Sequence, residues 1–115
     1  MKISRELYIL FVAWMVLLTI LSLMPRAGLD VGRWDKIAHF IAYFVTALLF
    51  TISFRTRFRP TDIYAVLFAF GYGVILELAQ LFVPNRVCSL KDLVANFSGV
   101  LFFFILYRLL WGRID

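Results

Sequence analysis

The sequence predicts an all-α fold, an integral membrane four-helix bundle forming a single domain over residues 1–115, on three observations. Hydrophobic residues make up 63% of the chain, against roughly 45–50% in a soluble globular domain. A domain this small buries too little of its surface to hide that excess, so it needs an apolar solvent, and a bilayer supplies one. The apolar residues are gathered into four runs, each of roughly the 17 to 25 residues that cross a hydrocarbon core as helix. Prolines, glycines and charges punctuate the connectors, none of which is long enough to form another domain.

The first run, Leu7 to Met24, follows Lys2 and Arg5. It exceeds the roughly 7 to 15 residues of a signal-peptide apolar region, and no clean small-x-small cleavage site follows, so a retained helix is expected. Its only polar side chains are Thr19 and Ser22, which predicts a structural wall outside any site. The second run, Ile37 to Phe54, follows a connector holding Pro25, Gly28, Asp30 and Gly32. The third, Ile63 to Val83, follows the charged stretch Arg55 to Asp62 with its Pro60. The fourth, Leu93 to Trp111, follows Pro84 to Ser89.

The net charge of +5 brings no contiguous basic helix and no aromatic-interleaved strand, so nucleic acid is not an expected partner. The cations lie between the apolar runs instead. Seven (Lys2, Arg5, Arg55, Arg57, Arg59, Arg108, Arg113) fall on one side and five (Arg26, Arg33, Lys36, Arg86, Lys91) on the other. The positive-inside bias then predicts cytoplasmic termini and outward-facing first and third connectors. Cys88 is the sole cysteine, which excludes an internal disulfide and a thiolate-pair metal site.

Ionisable side chains inside membrane helices cost about 2.5 to 3.5 kcal/mol at a helix centre and need partners or water. Asp35, His39 and Tyr43 recur every four residues, on one face of the second helix. Glu77 and Gln80 share a face of the third, and Asp92, Asn96 and Gly99 a face of the fourth. Counting about 1.5 Å per residue inward from the outer ends predicts a funnel of three layers. Asp35, Arg86 and Asp92 form the rim, His39, Gln80 and Asn96 lie about 6 Å deeper, and Tyr43, Glu77 and Gly99 about 10 to 12 Å down. Stripes of small residues predict close helix approach: Ala65, Ala69 and Gly73; Ala38 and Ala42; Ala95 and Gly99.

The combination Asp35-Lys36-x-x-His39-x-x-x-Tyr43, then Glu77-x-x-Gln80 and Arg86, then Ser89-x-x-Asp92-x-x-x-Asn96-x-x-Gly99, resembles the VanZ-like family over roughly Trp34 to Phe104. That resemblance implies a multi-pass protein of the bacterial cytoplasmic (inner) membrane, associated with resistance to teicoplanin-type glycopeptides, which act on extracytoplasmic cell-wall precursors. It implies as partner a membrane lipid or a lipid-linked cell-wall intermediate.

The residues themselves leave several roles open. Glu77, the deepest carboxylate, is a candidate acid or base, or a strut between helices. His39 is the other catalytic candidate, as a proton shuttle or a donor to phosphate, or a structural histidine. Lys36, Arg86 and Lys91 suit an anionic headgroup, or neutralise Asp35 and Asp92. Ser89 and Asp92 also read as a capping box, and Asp35 as an acid favoured at a helix N-terminus. Tyr43, Gln80 and Asn96 complete the expected ligand-binding set. Asp35, His39, Glu77 and Asp92 could form a metal set, but no HExxH-like spacing backs one, so neither metal nor cofactor is expected. Three classes follow: an envelope binding protein, an intramembrane enzyme acting on a lipid phosphate, and a structural bundle. A channel is not expected, because Leu48 to Ile52, Val66 to Phe70 and Phe102 to Leu106 are apolar apart from Thr51.

Overall fold

The computed structural model describes residues 5–23, 33–55, 60–83 and 90–111, the side chains of 33–35 and 111 excepted. Within them the chain forms four α-helices: α1 (Arg5–Leu23), α2 (Arg33–Phe54), α3 (Thr61–Ala79) and α4 (Leu90–Trp111). All four are long and apolar enough to cross a membrane. At about 1.5 Å per residue their 19 to 22 residues span close to the roughly 30 Å of a hydrocarbon core. The all-α membrane bundle read from the sequence is the fold.

The helix ends differ from the apolar runs for local reasons. α2 and α4 start earlier than the runs, at Arg33 and Leu90, because a first helical turn tolerates polar side chains that an apolar count leaves out. α3 stops at Ala79, and Gln80–Phe82 continue as a 3-10 turn. Val83 is then extended, at φ −107 and ψ 128, as the residue before Pro84 is expected to be.

The bundle is apolar outside and partly polar inside. Leu67, Ile75, Phe82, Leu90 and Leu109 are among many large hydrophobic side chains that face outward. The most deeply buried side chains include Glu77, Gln80, Asn96, Asp62, Thr46 and Thr51. In water this distribution would be costly on both counts; in hydrocarbon it is the favourable one.

Packing centres on α2, which meets the three other helices and makes its most extensive contact with α4. α2 and α4 run in the same direction, with Gly99 at their crossing. A Cβ at Gly99 would lie 2.1 Å from the Phe40 carbonyl oxygen, so only glycine allows these backbones to meet. On α3 the expected stripe of Ala65, Ala69 and Gly73 is buried. Ala38 is exposed, however, and the fully buried small residues on α2 are Thr46, Ala47 and Ser53. Four-residue spacing identifies a helix face, but which face meets a neighbour depends on how the helix is rotated in the bundle.

α1 rests against α2 and α3 through Phe11, whose ring lies 5.4 to 6.1 Å from those of Phe50, Phe54 and Phe68. Each such pair adds about 0.5–1.5 kcal/mol beyond its area burial. Polar ties reinforce the contact. Trp14 Nε1 donates to Thr46 Oγ1 at 2.9 Å. Thr19 Oγ1 donates to the Met15 carbonyl at 2.8 Å, so Tyr72 is left to donate its hydroxyl proton to Thr19.

Candidate functional site

The parallel course of α2 and α4 brings their polar stripes into register. Lys36 on α2 faces Asp92 on α4, with Nζ 2.5 Å from Oδ1. One turn further along, His39 Nδ1 donates to Asn96 Oδ1 at 2.7 Å. The Phe40–Gly99 crossing follows immediately, and its close approach is what lets these short side chains reach across.

α3 runs the opposite way and presents its last turn to the same place. Glu77 is 2% exposed and projects toward the His39–Asp92 pair: one ligand atom from each of His39, Glu77 and Asp92 lies within 4.8 Å of the other two. His39 Nε2 is 3.9 Å from Asp92 Oδ2, beyond hydrogen-bond distance. One turn deeper on α3, Gly73 makes room for Tyr43 and Asn96, since a Cβ there would sit 3.1 Å from Tyr43 Cε1 and 3.2 Å from Asn96 Nδ2. Asn96 is 1% exposed, and its Nδ2 has no hydrogen-bond partner among the described residues.

The expected depth separation of Asp92 and Glu77 is not found: their ligand atoms lie within 4.8 Å of each other. Counting residues places Cα atoms along each helix; it omits the reach of side chains and the stagger between helices, which together bring Glu77 and Asp92 to one level. Of the residues singled out in the sequence, Lys36, His39, Glu77, Asp92 and Asn96 are brought together, with Tyr43 beside them. Gln80 is buried, but its Nε2 donates to the Ser22 carbonyl at 2.7 Å, tying α3 to α1. The Asp35 side chain, together with Arg86, Cys88 and Ser89, lies outside the described residues.

Electrostatically the cluster joins two buried carboxylates to one half-exposed ammonium, that of Lys36. A cavity of about 160 Å³ adjoins it, opening between α1 and α2. His39 and Tyr43 form its polar end, and Leu18, Leu21, Ala38 and Ala42 its apolar wall, with Ser22 between. α1 therefore takes part in shaping the site's approach, which its apolar sequence did not announce. A larger cavity of about 390 Å³ lies between α2 and α4 toward their other ends, with Thr51, Arg55 and Tyr107 as its polar members and otherwise apolar lining. Its chemistry suits hydrocarbon.

Near the opposite end of the bundle, Asp62 in the first turn of α3 is paired with Arg108 in the last turn of α4. Arg108 donates Nε to Oδ2 and Nη2 to Oδ1, the latter at 3.3 Å. The sequence offered no spacing that links two residues 46 positions apart, and both were read only as connector or topology charges.

A family model described as VanZ/LLP1 matches residues 4–111. An uncharacterized protein of Schizosaccharomyces pombe is 28% identical over 98 residues, covering 84% of this chain. The chain spans 59% of that relative's length. No solved structure matches.

Proposed function

The chain belongs to the VanZ/LLP1 family, and from that premise we propose that it is a membrane binding protein that holds the headgroup of an anionic or lipid-linked ligand in the polar cluster of α2, α3 and α4. One observation carries this reading: buried Glu77 and Asp92, with His39, converge beside a cavity that opens sideways between α1 and α2. A lipid entering there meets Leu18 and Leu21 along its chain and His39 at its head. Hydroxyl or amine donors of the headgroup are matched by the two carboxylates, and its phosphate by Lys36 and by Lys91, which is exposed in the first turn of α4. Arg86 would add a forked donor to the same rim.

The excess of Lys and Arg on the other side supports an outward-facing site with cytoplasmic termini. In a bacterial inner membrane, an occupant held there would change the pool of lipid-linked precursor that glycopeptides meet, and so glycopeptide susceptibility. A relative in a yeast, an organism without peptidoglycan, favours a membrane phospholipid as the more general ligand. A second reading is supported by the proximity of His39 and Glu77: acid–base chemistry on a lipid phosphate at the same place.

The test is extraction of lipid that copurifies with the full chain in mild detergent, with identification by mass spectrometry. Retention of an anionic lipid by wild type and its loss from His39→Ala and Lys36→Met would support the binding reading. Equal lipid content in all three proteins would overturn it. Turnover of a phospholipid by wild type, with lipid still bound by an inactive Glu77→Gln, would instead establish the enzyme.

A further inference from the structure

We propose that His39, Glu77 and Asp92 form a binding site for a divalent transition cation, of the Zn²⁺ or Mn²⁺ type. The inference concerns the cluster already read as a ligand site and rests on that reading, though not on which lipid it takes.

The geometry is the first argument. Three ligand atoms within 4.8 Å of one another admit a cation within about 2.8 Å of each, so shifts of under about 1 Å bring all three to the 2.0–2.2 Å of Zn–N and Zn–O bonds. The ligands come from three helices, α2, α3 and α4, which are held together independently by the Gly99–Phe40 crossing and the buried α3 stripe.

The surroundings of His39 are the second. Its Nδ1–H is held by Asn96 Oδ1, so the Nε2 lone pair is the one turned toward Asp92. A buried partner that fixes the tautomer and ring angle of a metal-binding histidine is a recurrent feature of such sites. The third argument is independent of the three ligands. Asn96 Nδ2, a nine-tenths-buried donor with no partner among the described residues, faces the same interhelical space beside Gly73 and Tyr43. A donor so placed calls for an oxygen acceptor, and a water carried by the cation supplies one.

The donor set points the same way. Glu77 and Asp92 offer buried carboxylate oxygens in a bundle surrounded by hydrocarbon, with the Lys36 ammonium beside Asp92. One imidazole and two carboxylates suit Zn²⁺ or Mn²⁺ over Mg²⁺, which favours oxygen ligands alone and keeps its water. Bound at this position, the cation would join Lys36 and Lys91 in meeting a headgroup phosphate.

The experiment uses the full chain, free of any affinity tag, stripped with chelator and titrated in detergent with ZnCl₂, MnCl₂ and MgCl₂ and no added lipid. About one Zn²⁺ or Mn²⁺ per chain is expected, with binding weakened at least tenfold in His39→Ala, Glu77→Gln and Asp92→Asn and unchanged in Glu6→Gln. Because these variants risk misfolding, wild type is also loaded with Co²⁺. His39 is the only histidine of the chain, so one set of paramagnetically shifted imidazole proton signals is expected in its NMR spectrum. No stoichiometric binding, or binding without shifted imidazole signals, would overturn the proposal. Because no lipid is present, that failure is distinct from a failure of lipid retention.

Discussion

His39 Nδ1 donates to Asn96 Oδ1 at 2.7 Å across the interface of α2 and α4. The bond joins two residues 57 positions apart and sets which ring nitrogen faces the carboxylates. Asn96→Ala is therefore expected to leave the bundle folded while weakening Zn²⁺ binding about 10- to 100-fold, the usual effect of removing such a supporting partner. Asn96→Asp keeps an acceptor for Nδ1–H and should retain most of the affinity; titration of both variants checks the ordering.

Gly99 and Gly71 make a matched pair. A Cβ at Gly99 meets the Phe40 carbonyl, whereas one at Gly71 meets nothing within 4 Å. Gly99→Ala should destabilise the protein by about 3 kcal/mol, the upper end of the overpacking range, because backbone rather than a flexible side chain must yield. Gly71→Ala should be neutral or stabilising by up to about 1 kcal/mol through helix propensity. Unfolding titrations in mixed micelles measure both.

Arg108→Met leaves the 1% exposed carboxylate of Asp62 without its guanidinium. Because the Arg108 side chain is itself exposed, leaving Asp62 without it is expected to cost about 1–3 kcal/mol, whereas replacing both partners is often neutral. The double variant Asp62→Asn/Arg108→Met should accordingly recover most of the stability lost in the single one. Equal stabilities of wild type and Arg108→Met would show that the pair contributes nothing.

Glu77→Gln removes one of two buried carboxylates whose ligand atoms lie within 4.8 Å of each other, without changing side-chain volume. If Glu77 is retained for function at the expense of stability, the thermal midpoint in detergent is expected to be unchanged or higher. A sharp fall would identify Glu77 as a strut.

Cys88 lies in the connector between α3 and α4, on the side carrying fewer cations. A thiol reagent unable to cross membranes is expected to label it in intact cells whose outer leaflet is accessible. Labelling only after lysis would reverse the assigned orientation.

Much of this was legible in the sequence. The four helices follow from apolar runs of spanning length, four of the clustered residues (His39, Glu77, Asp92 and Asn96) from spacing on single helices, and Lys36 from its charge beside them. Gln80 shows the limit of the method. Its three-residue spacing from Glu77 places both on one side of α3, yet the 3-10 turn that begins at Gln80 and the nearness of Ser22 direct its amide to α1 instead. His39, Glu77 and Asp92, with Asp35, read as a conceivable metal set that no motif backs, because ligands drawn from three helices share no local spacing; their proximity is visible only in the fold.

The sequence by itself determined that the chain is a bundle of membrane helices, because hydrophobicity summed over 20 residues is a property of a segment and needs no neighbour. It also determined that polar residues on α2, α3 and α4 had to be satisfied internally, since hydrocarbon offers them no hydrogen bonds. Only the tertiary structure decided which residues satisfy which. The register of α2 against α4, set by one glycine beneath one carbonyl, pairs Lys36 with Asp92 and His39 with Asn96. The antiparallel α3 then brings Glu77 to their level. Rotation and stagger of helices depend on packing between distant segments, and that information is not carried by any one of them.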